Sequence, residues 1–163
     1  MTKITTLAFL LLPLFSYSQE ELADFFDGHW ECTANTEIGE GSTMEYHAVD
    51  YYSIEQSSAW SNATYKIYDN SQPDVASVIY IETSARFEIT GDIVKSFAYK
   101  KHLSRLEKDE LNIFTPQSVE SFVNHSPDSV YYGKIIKIDN NHFKTHNLSD
   151  ESRVIPCTRI NPL

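Results

Sequence analysis

Glycine is scarce in this chain, five residues in 163. Five scattered glycines cannot form a phosphate-cradling loop, and neither a G-x-S-x-G elbow nor an H-E-x-x-H pair occurs, so these chemistries lack sequence support. Cations are also few, 13 Lys plus Arg against 23 Asp plus Glu, for a formal charge of −10. A protein that wraps nucleic acid or lies on an anionic membrane needs a basic surface, so neither partner is expected. Only two cysteines occur, and they are not spaced C-x-x-C, which leaves thiolate metal sites and dithiol redox chemistry without support. Repeats, low-complexity tracts and linkers are missing as well, so one domain is the economical count.

The longest apolar run, Ile4 to Phe15, stands at the N-terminus behind Lys3 and ahead of Ser16-Tyr17-Ser18. It is short of the ~20 residues a spanning helix needs, and small residues occupy −3 and −1. The pattern predicts an export signal, residues 1–18, cleaved before Gln19, and a periplasmic or secreted domain over 19–163. No cysteine lies near the cleavage point to carry a lipid. Removal of Lys3 with the signal makes the mature chain one unit more acidic, −11, and no second apolar run approaches membrane-spanning length.

In an oxidising compartment, Cys32 and Cys157 are most simply one disulfide, with two buried thiols as the alternative. A disulfide usually holds its Cα atoms roughly 4.4–6.8 Å apart, so it makes the first and last elements neighbours.

Glu20–Phe26 reads as a short helix, with Leu22, Phe25 and Phe26 on one side and Gly28 at its end. Most of the chain beyond Gly28 alternates with period two. Trp30, Cys32 and Ala34 share a face in the first strand, as do Met44, Tyr46, Ala48 and Tyr52 in the second. Further strands are predicted at 60–68, 75–81, 87–89, 93–99, 118–123, 130–138, 142–148 and 153–160. Thr90-Gly91-Asp92 marks a hairpin. Residues 100–110 carry little apolar content and read as a polar hairpin end or short helix. The expected fold is all-β, an antiparallel up-and-down barrel of about eight to ten strands with a short N-terminal helix; a β-sandwich is the alternative. A disulfide between first and last strands favours the barrel.

Gly28-His29-Trp30 and the late Cys157-Thr158-Arg159 resemble the lipocalin and calycin barrels. There a G-x-W string opens the first strand, and a late Arg packs across the Trp at the closed end. The resemblance implies structural roles for Gly28, Trp30 and Arg159, with the guanidinium over the indole contributing ~0.5–2 kcal/mol. The parity agrees, because Trp30 shares a face with Cys32 and Arg159 shares one with Cys157. The family's middle T-D-Y string has no match: Val49-Asp50-Tyr51 is nearest and stands too early.

Aromatic side chains are the informative chemical population. Tyr46, Tyr52, Trp60, Phe87, Phe97, Tyr99, Phe122 and Tyr132 fall in expected strands and are the candidates for lining a pocket. A tyrosine offers an apolar body with one polar tip, which suits an amphipathic ligand; the same rings can instead fill a small barrel. His142 and His146 lie four apart on a strand, roughly 13 Å, too far to share a metal, and solvent-exposed histidines are expected. His125 adds no metal site that the spacing supports. The sequons at Asn62, Asn124 and Asn147 matter only in a glycosylating host. The leading expectation is a carrier of a small apolar or amphipathic molecule, without a cofactor or metal. The alternative is an acidic module that captures a basic protein through its outer face, since opposite charge speeds encounter. Carboxylates are dispersed and no nucleophile–base pair is recognisable, so an enzyme has the least support.

Overall fold

The computed structural model describes residues 19–39, 41–123, 126 and 128–160. The predicted export signal, the Asn124 sequon with His125, and Pro127 in one expected turn lie outside them. Spacing of i, i+3 and i+4 puts Leu22, Phe25 and Phe26 on one stripe of α1 (Gln19–Phe26), and all three are buried.

Eight strands come after the helix: β1 (Gly28–Glu37), β2 (Ser42–Ser53), β3 (Ser58–Asp69), β4 (Gln72–Thr90), β5 (Ile93–Asp109), β6 (Tyr131–Lys137), β7 (His142–Asn147) and β8 (Asp150–Arg159). Each pairs antiparallel with its sequence neighbours, and β8 returns to β1 to close a barrel, so the sandwich alternative does not hold. Three expectations change. The segments 75–81 and 87–89 belong to the single strand β4, and residues 100–109 extend β5 instead of forming a hairpin end or short helix. The segment 118–123 is not a strand either. Thr115 and Pro116 start a short helix, α2 (Pro116–Ser121), there. The Ser118 backbone N–H donates to Thr115 Oγ1 at 3.1 Å while the Thr115 N–H donates to Ser118 Oγ at 2.7 Å, a reciprocal cap.

The closure is narrow. β1 and β8 face each other through Trp30–Arg159, Glu31–Thr158 and Cys32–Cys157, whereas β2 and β3 pair along their whole length from Ser42–Asp69 to Ser53–Ser58. The disulfide sits in that seam, with Cα atoms 4.1 Å apart. Both cysteines are buried, and the bond fits an oxidising extracellular or periplasmic compartment.

One end of the barrel is plugged. Trp30 is fully buried, its ring 5.1 Å from that of Phe25 and 4.7 Å from that of Phe143, and its Nε1–H donates to the Phe26 carbonyl at 3.0 Å. Arg159 lies over the indole with Cζ 4.3 Å from the ring centroid. Its Nη1 donates to the Asp27 carbonyl at 2.8 Å and its Nη2 to the Phe25 carbonyl, so one guanidinium satisfies carbonyls left unpaired where α1 ends. Gly28 allows this approach. Its φ is +112°, and a Cβ there would stand 3.1 Å from Arg159 Nη1.

Candidate functional site

The interior between the plug and the opposite end is set by register. Inward positions on β2 are even and those on β3 are odd. Tyr46 therefore faces Tyr65, Ala48 faces Ala63, Asp50 faces Ser61 and Tyr52 faces Ala59. Across on β4, Ile81, Thr83 and Ala85 continue the same rows. Alanines and serine in the middle of the wall leave space that large side chains would fill. The outcome is a cavity of about 230 Å³ lined by Tyr46, Asp50, Tyr52, Ser61, Tyr65 and Tyr99 among others.

Two aromatic layers bound this space. Below it, the Tyr52 ring lies 4.0 Å from Phe26, tilted by 38°, and meets Phe87 edge-on at 5.8 Å, within the plug. Above it, Tyr65 packs against Tyr46 at 5.3 Å and against Phe122 at 5.2 Å, where the segment around α2 leans over the barrel. Rings therefore fill both ends of the interior and leave the middle hollow. A second cavity of about 210 Å³ adjoins it through the shared walls of Tyr52, Ser96 and Tyr99 and extends toward β6 and β7. A wider vestibule of about 650 Å³ lies between β1, β2 and β8 beyond the Cys32–Cys157 seam, and Tyr46 and Tyr65 line it as well as the inner cavity.

The chemistry of the inner cavity centres on Asp50. This carboxylate is only 7% exposed. Its Oδ2 accepts a 3.4 Å hydrogen bond from the Tyr52 hydroxyl, while Oδ1 is buried without a hydrogen-bond partner. Leaving a buried acceptor unmade costs about 1–3 kcal/mol. Burial pushes the Asp50 carboxyl above the usual aspartate range, with the nearby Ser61 and Tyr52 hydroxyls pulling the other way. Burial, and then the charge of Asp50, raise the hydroxyls of Tyr46 and Tyr52 well above the ordinary tyrosine value and push Tyr65 up to about 12. Burial raises Tyr99 too. The four tyrosines are pushed away from ionisation, so among the described lining residues Asp50 is the one acidic side chain, and no Lys, Arg or His lines the space to pair with it.

The expected pocket residues separate into groups. Tyr46, Tyr52 and Tyr99 line the inner cavity. Phe87 belongs to the plug, and Phe122 to the aromatic layer over Tyr65. Tyr132 borders the second cavity from its rim and is 46% exposed. Trp60 does not face the interior: it is 40% exposed and stacks on the His102 ring at 4.4 Å. Its even position on β3 is the outward one. Phe97 lies under Lys95 Nζ at 5.0 Å and lines none of these cavities. A bulge explains the contrast with Tyr99. Arg86 faces Phe97 while Ser84 faces Lys100, and Ala98 takes φ +54°, so the strand reverses parity and turns Tyr99 inward.

Asp50 was legible but missed. It shares the even parity of Met44, Tyr46, Ala48 and Tyr52, and an acidic residue in an otherwise apolar inward row is the signal. The histidines also need correction, since His146 is buried, not exposed. It borders the second cavity, with Nδ1 3.3 Å from the Asn147 carbonyl. His142 instead bonds Asp139 at 2.8 Å. Among the described residues no three His, Cys, Asp or Glu side chains gather as metal ligands.

The arrangement defines a class: a closed eight-stranded antiparallel barrel with a helix-plugged end, a disulfide in its closing seam and a hollow, tyrosine-lined middle. No protein-family model and no curated protein sequence matches the chain.

Proposed function

We propose that this protein is an exported, lipocalin-like carrier that holds a small amphipathic molecule inside its barrel. The observation that carries this reading is the cavity between the two aromatic layers, where Tyr46, Tyr52, Tyr65 and Tyr99 surround one buried carboxylate. A concave, largely aromatic wall with few polar groups is how proteins hold small molecules, apolar area supplying affinity and the polar atoms orientation. At about 230 Å³ the space is smaller than the ~300–1,000 Å³ of drug-sized sites, so the ligand is small. The vestibule gives it an approach, past the rings of Tyr46 and Tyr65. Gly28, Trp30 and Arg159 at the plugged end support the lipocalin-like assignment, and the Cys32–Cys157 bond supports export.

Native mass spectrometry of the mature chain, followed by dye-displacement titration with lipids, pigments and small amines, tests the proposal. Co-purifying mass or saturable displacement is the expected result. A mature chain that takes up nothing across such a panel refutes it.

A further inference from the structure

We infer that Asp50 anchors a small organic cation, a protonated amine with an apolar body, seated among the tyrosines of the inner cavity. The inference rests on the carrier reading and narrows its ligand. Three observations point the same way. Asp50 is more than nine-tenths buried and lines the cavity, and its Oδ1 has no hydrogen-bond partner, the neighbouring Ser61 and Tyr52 hydroxyls only partly offsetting the cost of burying the carboxyl. No ion pair to Asp50 occurs among the described residues, and no cationic side chain lines the space. The remaining large surfaces are tyrosine rings, which attract cations through their electron-rich faces.

An orphaned buried acceptor calls for an explanation, and a ligand that donates to it supplies one. An ammonium group answers the carboxylate as charge and as hydrogen-bond donor together, the stronger kind of bond. A fatty acid is the wrong partner, because its carboxylate would meet another one in a poorly solvated space. A neutral alcohol can donate but leaves the charge unanswered.

The groups facing Asp50 are few: Tyr46 and Tyr52 from its own strand, Tyr65 and Ser61 from β3, Thr83 from β4, and Ser96 and Tyr99 from β5. The tyrosines titrate above the physiological range, so a proton exchanged there on binding belongs to Asp50 or to the ligand.

Isothermal titration of the mature chain with 2-phenylethylamine, its neutral counterpart 2-phenylethanol and the anionic decanoate separates the possibilities. The expected result is amine binding at least about tenfold tighter than alcohol binding. Asp50→Asn should erase that preference, the amine losing at least about tenfold more affinity than the alcohol, whose hydroxyl can still donate to the amide oxygen. Amine titrations of the wild-type chain in two buffers of different ionisation enthalpy give a second readout, independent of any variant. Proton release on binding, larger at mildly acidic pH, supports the anchor, because a bound cation draws Asp50 toward its ionised form. Equal affinity for amine and alcohol, or binding of decanoate alone, overturns the anchor and leaves the carrier standing. If none of the three probes binds, the anchor falls, and the wider displacement panel decides the carrier.

Discussion

Breaking the Cys32–Cys157 bond should cost this barrel a large share of its stability. The two residues are 125 apart in sequence, so the bond closes most of the chain into one loop. In the chain-entropy account, releasing a loop of that length restores about 16–17 cal/mol/K to the unfolded state, or about 4.9 kcal/mol at 25 °C. Domains are stable by only about 5–15 kcal/mol in total. The folded state suffers too, because the bond lies in a seam of three facing pairs, where the strands have little other pairing to keep the barrel closed. For a domain of this size the loss corresponds to roughly 10–20 °C in Tm. The assay is thermal unfolding followed by far-ultraviolet circular dichroism without reductant. It compares wild type, Cys32→Ala, Cys157→Ala and the double variant; alanine avoids placing a new hydroxyl at these buried positions. All three variants should fall together, and wild type with reductant should join them. Midpoints within about 3 °C of oxidised wild type would refute the reasoning, as would single variants that differ widely from each other.

Gly28→Ala should destabilise by about 1–3 kcal/mol in urea titration, because φ +112° is strained for alanine and its methyl would crowd the Arg159 guanidinium. Asp50→Asn should melt higher than wild type at neutral pH. Burial raises the folded-state pKa of Asp50, so its penalty is absent below the unfolded carboxyl range and grows as pH rises through the folded value. The gap between variant and wild type should therefore close on acidification; a constant gap from acidic to neutral pH would contradict the assignment. Only that difference isolates Asp50, since Asp69, Asp109, Glu110, Asp139 and Asp150 are shifted downward and stabilise in the opposite direction. Trp60→Ala should change stability by no more than about 0.5 kcal/mol and leave ligand uptake intact, because its ring lies on the outer surface against His102.

Much of this protein can be read from local pattern. Alternation in β1 and β8 assigns Trp30, Cys32, Cys157 and Arg159 to one face, and the structure joins them as cross-strand pairs. The apolar stripe of α1 and the hairpin at Gly91 are similarly local. Parity was also enough to send Trp60 outward and Asp50 inward, had the polar residue been kept in its row. Phe97 and Tyr99 were beyond such reading, because the bulge at Ala98 breaks the period and no residue type announces it. The polar stretch 100–109 looked unlike a strand for a related reason. A further register shift opposite Glu82 and Thr83 scrambles its alternation, and pairing with β4 supplies the order that the side chains do not.

The acidic, ring-rich, glycine-poor composition and the two distant cysteines constrain compartment, architecture and one cross-link, because each depends on residue type or on spacing along the chain. Whether the rings fill the barrel or leave it hollow depends on register between strands far apart in sequence. Pairing Ala48 with Ala63, Asp50 with Ser61 and Tyr52 with Ala59 puts small side chains on both walls at one level. A slip of one residue would turn every one of them to the other face. The cavity, and the buried carboxyl inside it, are therefore properties of the closed sheet.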